Sequence, residues 1–412
     1  MTNLHFNFKD VFRAGRLGFS AKKMWISFLG LLIGGIGYTI LSYIAFLTAG
    51  IRIGEVWASY RLMPFLAQDI TIPWYSWVIW VAGIVWWVCV TIITGVAVSK
   101  VTYEQLKGDE FYEIKEAFKF ALKNGKSAIL APLVLIIFIL SLIVMGIILA
   151  LITWIPYFGQ LFFSIMAIPA FFVCIFILYL VVVTLVSLII GPSIVGTTGN
   201  DTFDTLFEAF SVINDQPWRF IVYEFLLKLV MIVGVGILGF FAAKAIYLGY
   251  TVIGIIVPGD KLNNIFTNAA YYVKLVIPDF YPESIRNIIT GYLDWIGMSN
   301  LLFPPEYVPA YEGWAGAISS FILGIVYYLI ILGVVSLGCS IYWAGNTLIF
   351  TVLVKKKDDK NLLEIKEEVV EEKKEEEVEK KETEEEKKAK KSRKKEEGSE
   401  EKPESEKEEK KE

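Results

Sequence analysis

The chain has 412 residues, of which 55% are apolar and 20% are charged, and its mean hydropathy is +0.55. This composition excludes an ordinary water-soluble protein of two or three domains. The charges are segregated, because residues 355–412 hold 20 of the 39 lysines and arginines and 24 of the 43 acidic residues. The sequence predicts an all-α fold. A polytopic membrane helical bundle of about six spans occupies 1–354, with interfacial amphipathic helices on its cytoplasmic side, and a charged tail, disordered or helical, occupies 355–412.

The residue inventory argues against an enzyme. His5 is the single histidine, which removes mechanisms and metal sites that need several histidines. Cys89, Cys174 and Cys339 lie inside apolar runs far apart in sequence, as small buried hydrophobic residues do. The usual signatures of nucleotide-binding loops and serine hydrolases are missing from the sequence. We therefore expect no enzyme, no cofactor and no metal.

Six apolar runs are long enough to cross a bilayer, which takes about 20 residues. The polar leader 1–23 precedes a run too long for a cleavable signal peptide, so this run is expected to be the first span. The fourth run is expected to end as a helix at Gly191-Pro192, because proline disrupts helix continuation. The predicted spans are 24–48, 74–99, 127–153, 159–191, 218–243 and 314–350.

Lysine and arginine in the short loops predict the orientation. The leader carries five of these cations and loop 100–126 carries six, whereas loop 49–73 carries two and loop 154–158 carries none. Positive loops stay in the cytoplasm. We expect both termini to be cytoplasmic and the protein to lie in a prokaryotic plasma membrane.

Three segments on the predicted cytoplasmic side share one pattern, in which an aromatic residue precedes an alanine by six positions. They are Phe8–Ala14, Phe111–Ala117 and Phe203–Ala209, each with apolar residues at helical spacing. They predict short amphipathic helices at the inner interface, each leading into a transmembrane hairpin. The repeat units would be 7–100, 111–197 and 202–354; generic amphipathic linkers are the alternative.

The third segment is acidic, unlike the other two. Asp204 and Glu208 lie in it, and no cation follows until Arg219. An acidic helix is not attracted to anionic lipid. We expect it to face another part of the protein, such as the basic helices of the first two units.

The chain around the start of the third unit reads Gly191-Pro-Ser-Ile-Val-Gly196, then Thr202-Phe-Asp-Thr-Leu-Phe-Glu-Ala-Phe-Ser211, then Trp218. This series resembles a group of prokaryotic membrane proteins of mostly unknown function. The group includes the DUF4013-type proteins and the membrane domain found beside glycerophosphodiester phosphodiesterases. The resemblance covers residues 111–240 and implies a multi-pass membrane architecture. The catalytic histidines and glutamates of the phosphodiesterase domain have no counterpart in this chain, so no activity is implied.

Glu224 and Lys228 form the candidate intramembrane polar site, since both lie within the fifth apolar run. Ionisable residues inside a membrane are costly and mark functional sites by default. Their spacing of four residues, with the glutamate first, suits an intrahelical ion pair. A self-neutralised pair and a proton or ion role both remain open.

Small residues at four-residue spacing mark candidate helix-packing positions, because they let helix backbones approach closely. A homo-oligomer seam is the alternative. These positions are Gly30 and Gly34 in the first span and Gly316, Ser320 and Gly324 in the sixth.

The predicted outer loop 244–313 is long for a hairpin connection, and long loops are often functional. Residues 281–296 place apolar side chains on one helical face, and residues 263–277 are the candidate for a second helix. The loop is expected to be a cap over the bundle, or a lid or docking site for a lipid or partner.

Three function classes fit the sequence. The first is a structural or accessory protein of the lipid bilayer that binds lipid, a membrane-protein partner or a second copy of itself. The second is a small-solute or ion transporter or channel that uses Glu224 and Lys228. The third is a membrane-insertion factor whose tail contacts the ribosome; the lysine-rich segment 387–395 would contact ribosomal RNA or anionic lipid.

Overall fold

The computed structural model describes residues 4–62, 64–65, 72–277, 281–305 and 313–364. Within these ranges the chain forms helices and no strand, as the sequence predicts. Two short 3₁₀ helices, Leu151–Trp154 and Tyr271–Val273, supplement the α-helices. The α-helices are α1 (Phe8–Val11), α2 (Arg13–Gly18), α3 (Ala21–Thr48), α4 (Ile53–Tyr60), α5 (Trp74–Lys107), α6 (Ile114–Ala150), α7 (Phe158–Thr198), α8 (Thr202–Asp215), α9 (Pro217–Gly254), α10 (Gly259–Ala270), α11 (Glu283–Ile296), α12 (Ser299–Leu302) and α13 (Gly313–Asp358).

Six of these helices are long and apolar enough to cross a membrane: α3, α5, α6, α7, α9 and α13. They match the six predicted spans, so the prediction of a polytopic helical bundle is confirmed. Chain contacts separate two compact units, Met1–Lys360 and Asn361–Glu412. The expectations for the tail beyond residue 364 lie outside the described residues.

The six long helices form three antiparallel hairpins. In the first, α3 packs on α5, with Gly30 against Thr94 and Gly34 against Trp87. In the second, α6 packs on α7 through a shared apolar cluster. In the third, α9 packs on α13, where Leu227 contacts Gly345. Three hairpins suit the predicted three-unit repeat, which itself stays a prediction.

One end of the bundle holds the starts of α3, α6 and α9 and the ends of α5, α7 and α13. We call it the base and the opposite end the distal end. Burial is concentrated toward the base: α5 is largely buried from Ile92 onward, and α13 from Val334 to Val354. Toward the distal end, α6 and α7 expose most of their apolar side chains. The most continuous part of the core therefore lies at the base, smaller buried clusters lie between α3 and α4 and between α10 and α13, and the distal halves of α6 and α7 present an apolar surface suited to lipid.

The helix of the fourth span does not end at Gly191-Pro192, and this expectation was wrong. Instead α7 continues through Pro192 to Thr198, where Gly199 ends it in the left-handed conformation (φ +70°). The turn of α7 around Pro192 is buried against α5, where the Ser193 and Ser99 hydroxyl oxygens lie 3.2 Å apart. Tight packing against a neighbouring helix holds the backbone in place despite the missing amide hydrogen.

Of the three predicted amphipathic segments, two are separate helices and one is not. The first corresponds to α1 and α2, and the third corresponds to α8, where the Asp201 side chain accepts a hydrogen bond from the Asp204 amide (2.9 Å). The second merges with its span into the continuous helix α6. The junction contains Asn124-Gly125, a pair that often ends a helix, but Gly125 is buried against Ile93 and Val96 of α5 and the helix continues.

The acidic helix α8 packs on α6, α7 and α9. Leu206 is buried, whereas Phe203 and Phe207 are exposed. Among the described residues, the ion pair of Glu208 is with Lys357 near the end of α13, with 3.6 Å between Nζ and Oε2. The helix therefore faces the protein, as expected, but its cation comes from the last helix rather than from the first two segments.

Replacing Gly18 with alanine is expected to destabilise the base. A Cβ atom there would lie 2.5 Å from the Cα of Ile341, and backbone cannot yield as a flexible side chain can. We expect a loss of about 1–3 kcal/mol, measured as a lower unfolding temperature of the purified protein in detergent. Gly146→Ala is the matched control, because no atom lies within 4 Å of the added Cβ. Equal stability of the two variants would contradict the close packing of α2 on α13.

Reversing the charge at Glu208 is expected to lower stability by up to about 1 kcal/mol, because the pair with Lys357 is partly exposed. Lys357→Glu in the same chain should restore most of the loss, which a double-mutant cycle in thermal unfolding measures. No recovery in the double variant would exclude the pairing.

Candidate functional site

Glu224 lies two turns into α9 and is 5% exposed. Neither carboxylate oxygen has a hydrogen-bond partner among the described residues. On the facing helix α13, the Tyr342 side chain lies within electrostatic range of this carboxylate. A buried ionised carboxylate without partners is costly, and either a proton or a nearby cation can neutralise it.

Lys228, the predicted partner, is exposed rather than buried. The structure forms no ion pair between Glu224 and Lys228 in the part of the chain that it describes. The two residues share one helix, but their side chains lie in different environments. The favourable spacing alone therefore does not make them a self-neutralised pair.

The level of Glu224 along the bundle follows from its neighbours. Leu227, one turn away, contacts Gly345, and Trp343 in the same turn of α13 contacts Gly95 of α5. Gly95 precedes Lys100 by five residues, and that lysine pairs with Glu104. Charged residues thus occur on α5 at about the level of Glu224, so the site lies at the edge of the apolar zone rather than deep within it.

Asn346 is a second buried polar residue that the sequence reasoning missed. It is fully buried on α13, and its Nδ2 donates to the Tyr342 carbonyl at 3.1 Å. Its Oδ1 has no hydrogen-bond partner among the described residues, and its side chain lies beside the Tyr342 side chain. In the sequence, Asn346 could have been recognised as the single amide side chain in the apolar run Trp343-Ala-Gly-Asn-Thr-Leu-Ile-Phe350.

The base buries two further charged side chains, and both have partners. Lys23 is fully buried, and its Nζ donates to the Leu17 carbonyl at 2.7 Å, which satisfies the end of α2. Asp10 is also fully buried, and its Oδ1 lies 3.5 Å from Nε of Arg13. Among these three buried charged residues, Glu224 differs in having no partner.

Three of the five candidate packing positions, Gly30, Gly34 and Gly324, have a close neighbour on another element. A Cβ on Gly30 would overlap the Thr94 side chain, and a Cβ on Gly34 would lie 2.6 Å from Cδ1 of Trp87. Gly324 leaves no room for a Cβ beside Tyr272 (2.7 Å), and Ser320 is buried, donating to the Gly316 carbonyl at 2.9 Å. The first two serve contacts between α3 and α5, and Gly324 serves the contact of α13 with the segment after α10.

A second candidate site is a cavity of about 370 Å³ at the distal end, between α9, α10, α12 and α13. Its volume falls in the range of small-molecule pockets, about 300–1,000 Å³. The ring centroids of Tyr250 and Phe266 lie 5.1 Å apart, and those of Phe266 and Tyr327 lie 6.2 Å apart. The polar part of the lining comes from the side chains of Asn263, Thr267 and Asn300 and from tyrosine residues.

The helix α11 lies where the sequence predicts an amphipathic helix in the long loop, and α10 occupies part of the second predicted one. The Tyr292 hydroxyl donates to the Ile232 carbonyl of α9 at 2.7 Å, and partial burial raises the pKa of Tyr292. Ile296 is buried, whereas Ile288 and Trp295 are largely exposed. Part of the predicted apolar face of α11 therefore packs against the protein, and the rest is exposed.

Within the described residues, no group of three or more histidine, cysteine, aspartate or glutamate side chains is arranged to hold a metal ion. The three cysteines are free thiols. Comparison with protein-family models, with curated proteins and with solved structures finds no match.

Proposed function

We propose that this chain is an accessory integral membrane protein that binds a lipid acyl chain in the distal cavity. The observation that carries the proposal is the lining of this cavity, which is mainly aromatic and aliphatic with a smaller polar part. Such a lining favours an apolar ligand, and the few amide and hydroxyl groups at hand suit its polar end. In this proposal the protein is not an enzyme and carries no cofactor.

The surface around the cavity supports a ligand that arrives from the bilayer. Tyr247 lines the cavity and is 65% exposed, and its neighbour Leu248 is 63% exposed. Both lie on the distal part of α9, one of the six membrane-spanning candidates. A lipid chain can therefore pass from an apolar surface to an apolar cavity with little exposure to water.

We further propose that the base faces the cytoplasm and that the membrane is a prokaryotic plasma membrane. The support is the excess of lysine and arginine in the leader and in loop 100–126. The distal cavity would then open to the outer leaflet. A membrane-protein partner or a second copy of the chain is compatible with this arrangement.

The other two function classes stay predictions. The transporter hypothesis used Glu224 and Lys228 together, whereas Lys228 is exposed and unpaired with Glu224. The insertion-factor hypothesis depends on segment 387–395, which lies outside the described residues. Neither has an observation in its favour comparable to the cavity.

Lipid binding in the cavity is expected to be saturable. The full-length protein would be reconstituted into vesicles containing phosphatidylglycerol with a diazirine on one acyl chain, and cross-links would be mapped by mass spectrometry. Labelling of peptides that contain Phe266 should fall as unlabelled lipid is added at low excess. Labelling of the exposed distal parts of α6 and α7 should instead be proportional to the mole fraction of labelled lipid in the vesicle, because bulk lipid covers them.

Thr267→Phe fills the cavity and is expected to lower this saturable labelling several-fold. Thr251→Phe makes the same substitution at an exposed position on α9 and should leave labelling unchanged. Equal labelling in both variants, or labelling at the cavity that does not saturate, would exclude the proposed ligand.

The proposed orientation is tested by cysteine labelling in a chain whose three native cysteines are replaced by alanine. Glu55→Cys lies on the exposed surface of α4, which joins α3 to α5 at the distal end, and Asp109→Cys lies between α5 and α6 at the base. We expect an impermeant maleimide to label the first in intact cells and the second only after lysis. The reverse pattern would show the opposite orientation.

A further inference from the structure

The chain after α4 turns back along α3 at the distal end. The Tyr43 hydroxyl donates to the Arg61 carbonyl at 2.6 Å, and the Tyr38 hydroxyl donates to the Pro64 carbonyl at 2.9 Å. These tyrosines lie five and ten residues before Thr48, the last residue of α3, which is about 8 and 15 Å along the helix. Non-helical backbone at this depth is tolerated where protein surrounds it, and here it brings an arginine into the bundle.

We propose that Arg61 binds a phosphate group at this position, supplied by a phospholipid of the adjoining leaflet. The inference does not depend on the proposed acyl-chain site. Neither Arg61 nor the two rings that contact its guanidinium group, those of Trp57 and Tyr272, line the distal cavity.

The first argument is that the charge of Arg61 is not neutralised by the protein that surrounds it. Its Cζ lies 5.0 Å from the ring centroid of Tyr272 and 6.0 Å from that of Trp57. Its Nε is buried without a hydrogen-bond acceptor, and no carboxylate pairs with it in the described part of the chain. Aromatic faces stabilise a cation without accepting its in-plane N–H bonds. The side chain is partly exposed, so an anion can reach it.

The second argument is that the backbone of Arg61 is held in a strained conformation. Its φ is +50° and its ψ is −119°, a region that favours glycine. The hydrogen bond from Tyr43 fixes its carbonyl, and the next amide, of Leu62, donates to the Tyr272 carbonyl at 3.4 Å. Such strain persists where the surrounding structure holds it, and it clusters at ligand-binding positions. The guanidinium group is therefore positioned before a ligand arrives, which lowers the entropic cost of binding.

The third argument is the depth of Arg61 in the membrane. With 28 residues, α3 is about 42 Å long, whereas the hydrocarbon core is about 30 Å thick. A position about 8 Å from the end of α3 therefore lies near the boundary between hydrocarbon and headgroups, where lipid phosphates occur. A guanidinium group donates two parallel hydrogen bonds to phosphate oxygens, and the single charge of a phosphodiester would neutralise it.

The test is thermal unfolding of the purified full-length protein in a neutral detergent, followed by tryptophan fluorescence. Phosphatidylglycerol is compared with diacylglycerol that carries the same acyl chains, because the two lipids differ only in the phosphate-containing headgroup. Inorganic phosphate is compared with chloride at one ionic strength. A ligand that binds only the folded state raises the unfolding temperature with its concentration. We expect phosphatidylglycerol to raise it by about 2 °C or more beyond diacylglycerol, with saturation.

Arg61→Gln should remove this difference, and Arg61→Lys should weaken it, because lysine keeps the charge but lacks the planar fork. Arg52→Gln is the matched control and should keep the difference, since Arg52 is exposed at the start of α4. A saturable rise with inorganic phosphate that Arg61→Gln abolishes would support the site with a free anion as its ligand.

Equal effects of the two lipids on the wild-type protein, with no effect of inorganic phosphate, would overturn the proposal. So would a phosphate-dependent rise that persists in Arg61→Gln. If the glutamine variant does not fold, an undiminished rise in Arg61→Lys would overturn it instead.

Discussion

Close approach of helix backbones at the base is the constraint on which the other features depend. Gly18 meets the backbone of Ile341, and Gly345 accommodates Leu227, so that α2, α9 and α13 join with little space between them. Such contacts gain dispersion energy without needing a hydrophobic driving force, which is absent between apolar helices in lipid. Because packing is concentrated there, the distal halves are free to differ: the distal part of the second hairpin has exposed apolar faces, and that of the third carries a cavity.

Hydropathy was sufficient to predict the six long helices, because the need to satisfy backbone hydrogen bonds in an apolar medium acts on each segment separately. The predicted break at Pro192 was wrong for a complementary reason. Whether a proline ends a helix depends on what surrounds it, and the contact of Ser193 with Ser99 joins residues 94 positions apart. The second amphipathic segment likewise had the expected periodicity, but periodicity does not reveal whether a helix stops before the next one begins.

The polar site shows more clearly which features the sequence alone does not reveal. Glu224 could be found from the sequence because a charged residue in an apolar run is conspicuous. Its role could not, because the spacing to Lys228 describes only one helix, whereas burial is decided by α2 and α13. Asn346 gave a weak signal, since a single amide in a helix usually bonds within its own helix, as its Nδ2 does here. Only the packed structure shows that its oxygen is left without a donor.

The bond from the Ser340 hydroxyl to the Gly18 carbonyl joins residues separated by 322 positions. At synthesis rates of about 5–20 residues per second, the first helices exist for about 16–64 s before their last partner has been made. During that time the part of α13 that packs against Gly18 has not yet been made. The nascent chain must therefore keep its first segments in a provisional arrangement, which makes the last helix the one whose arrival completes the fold.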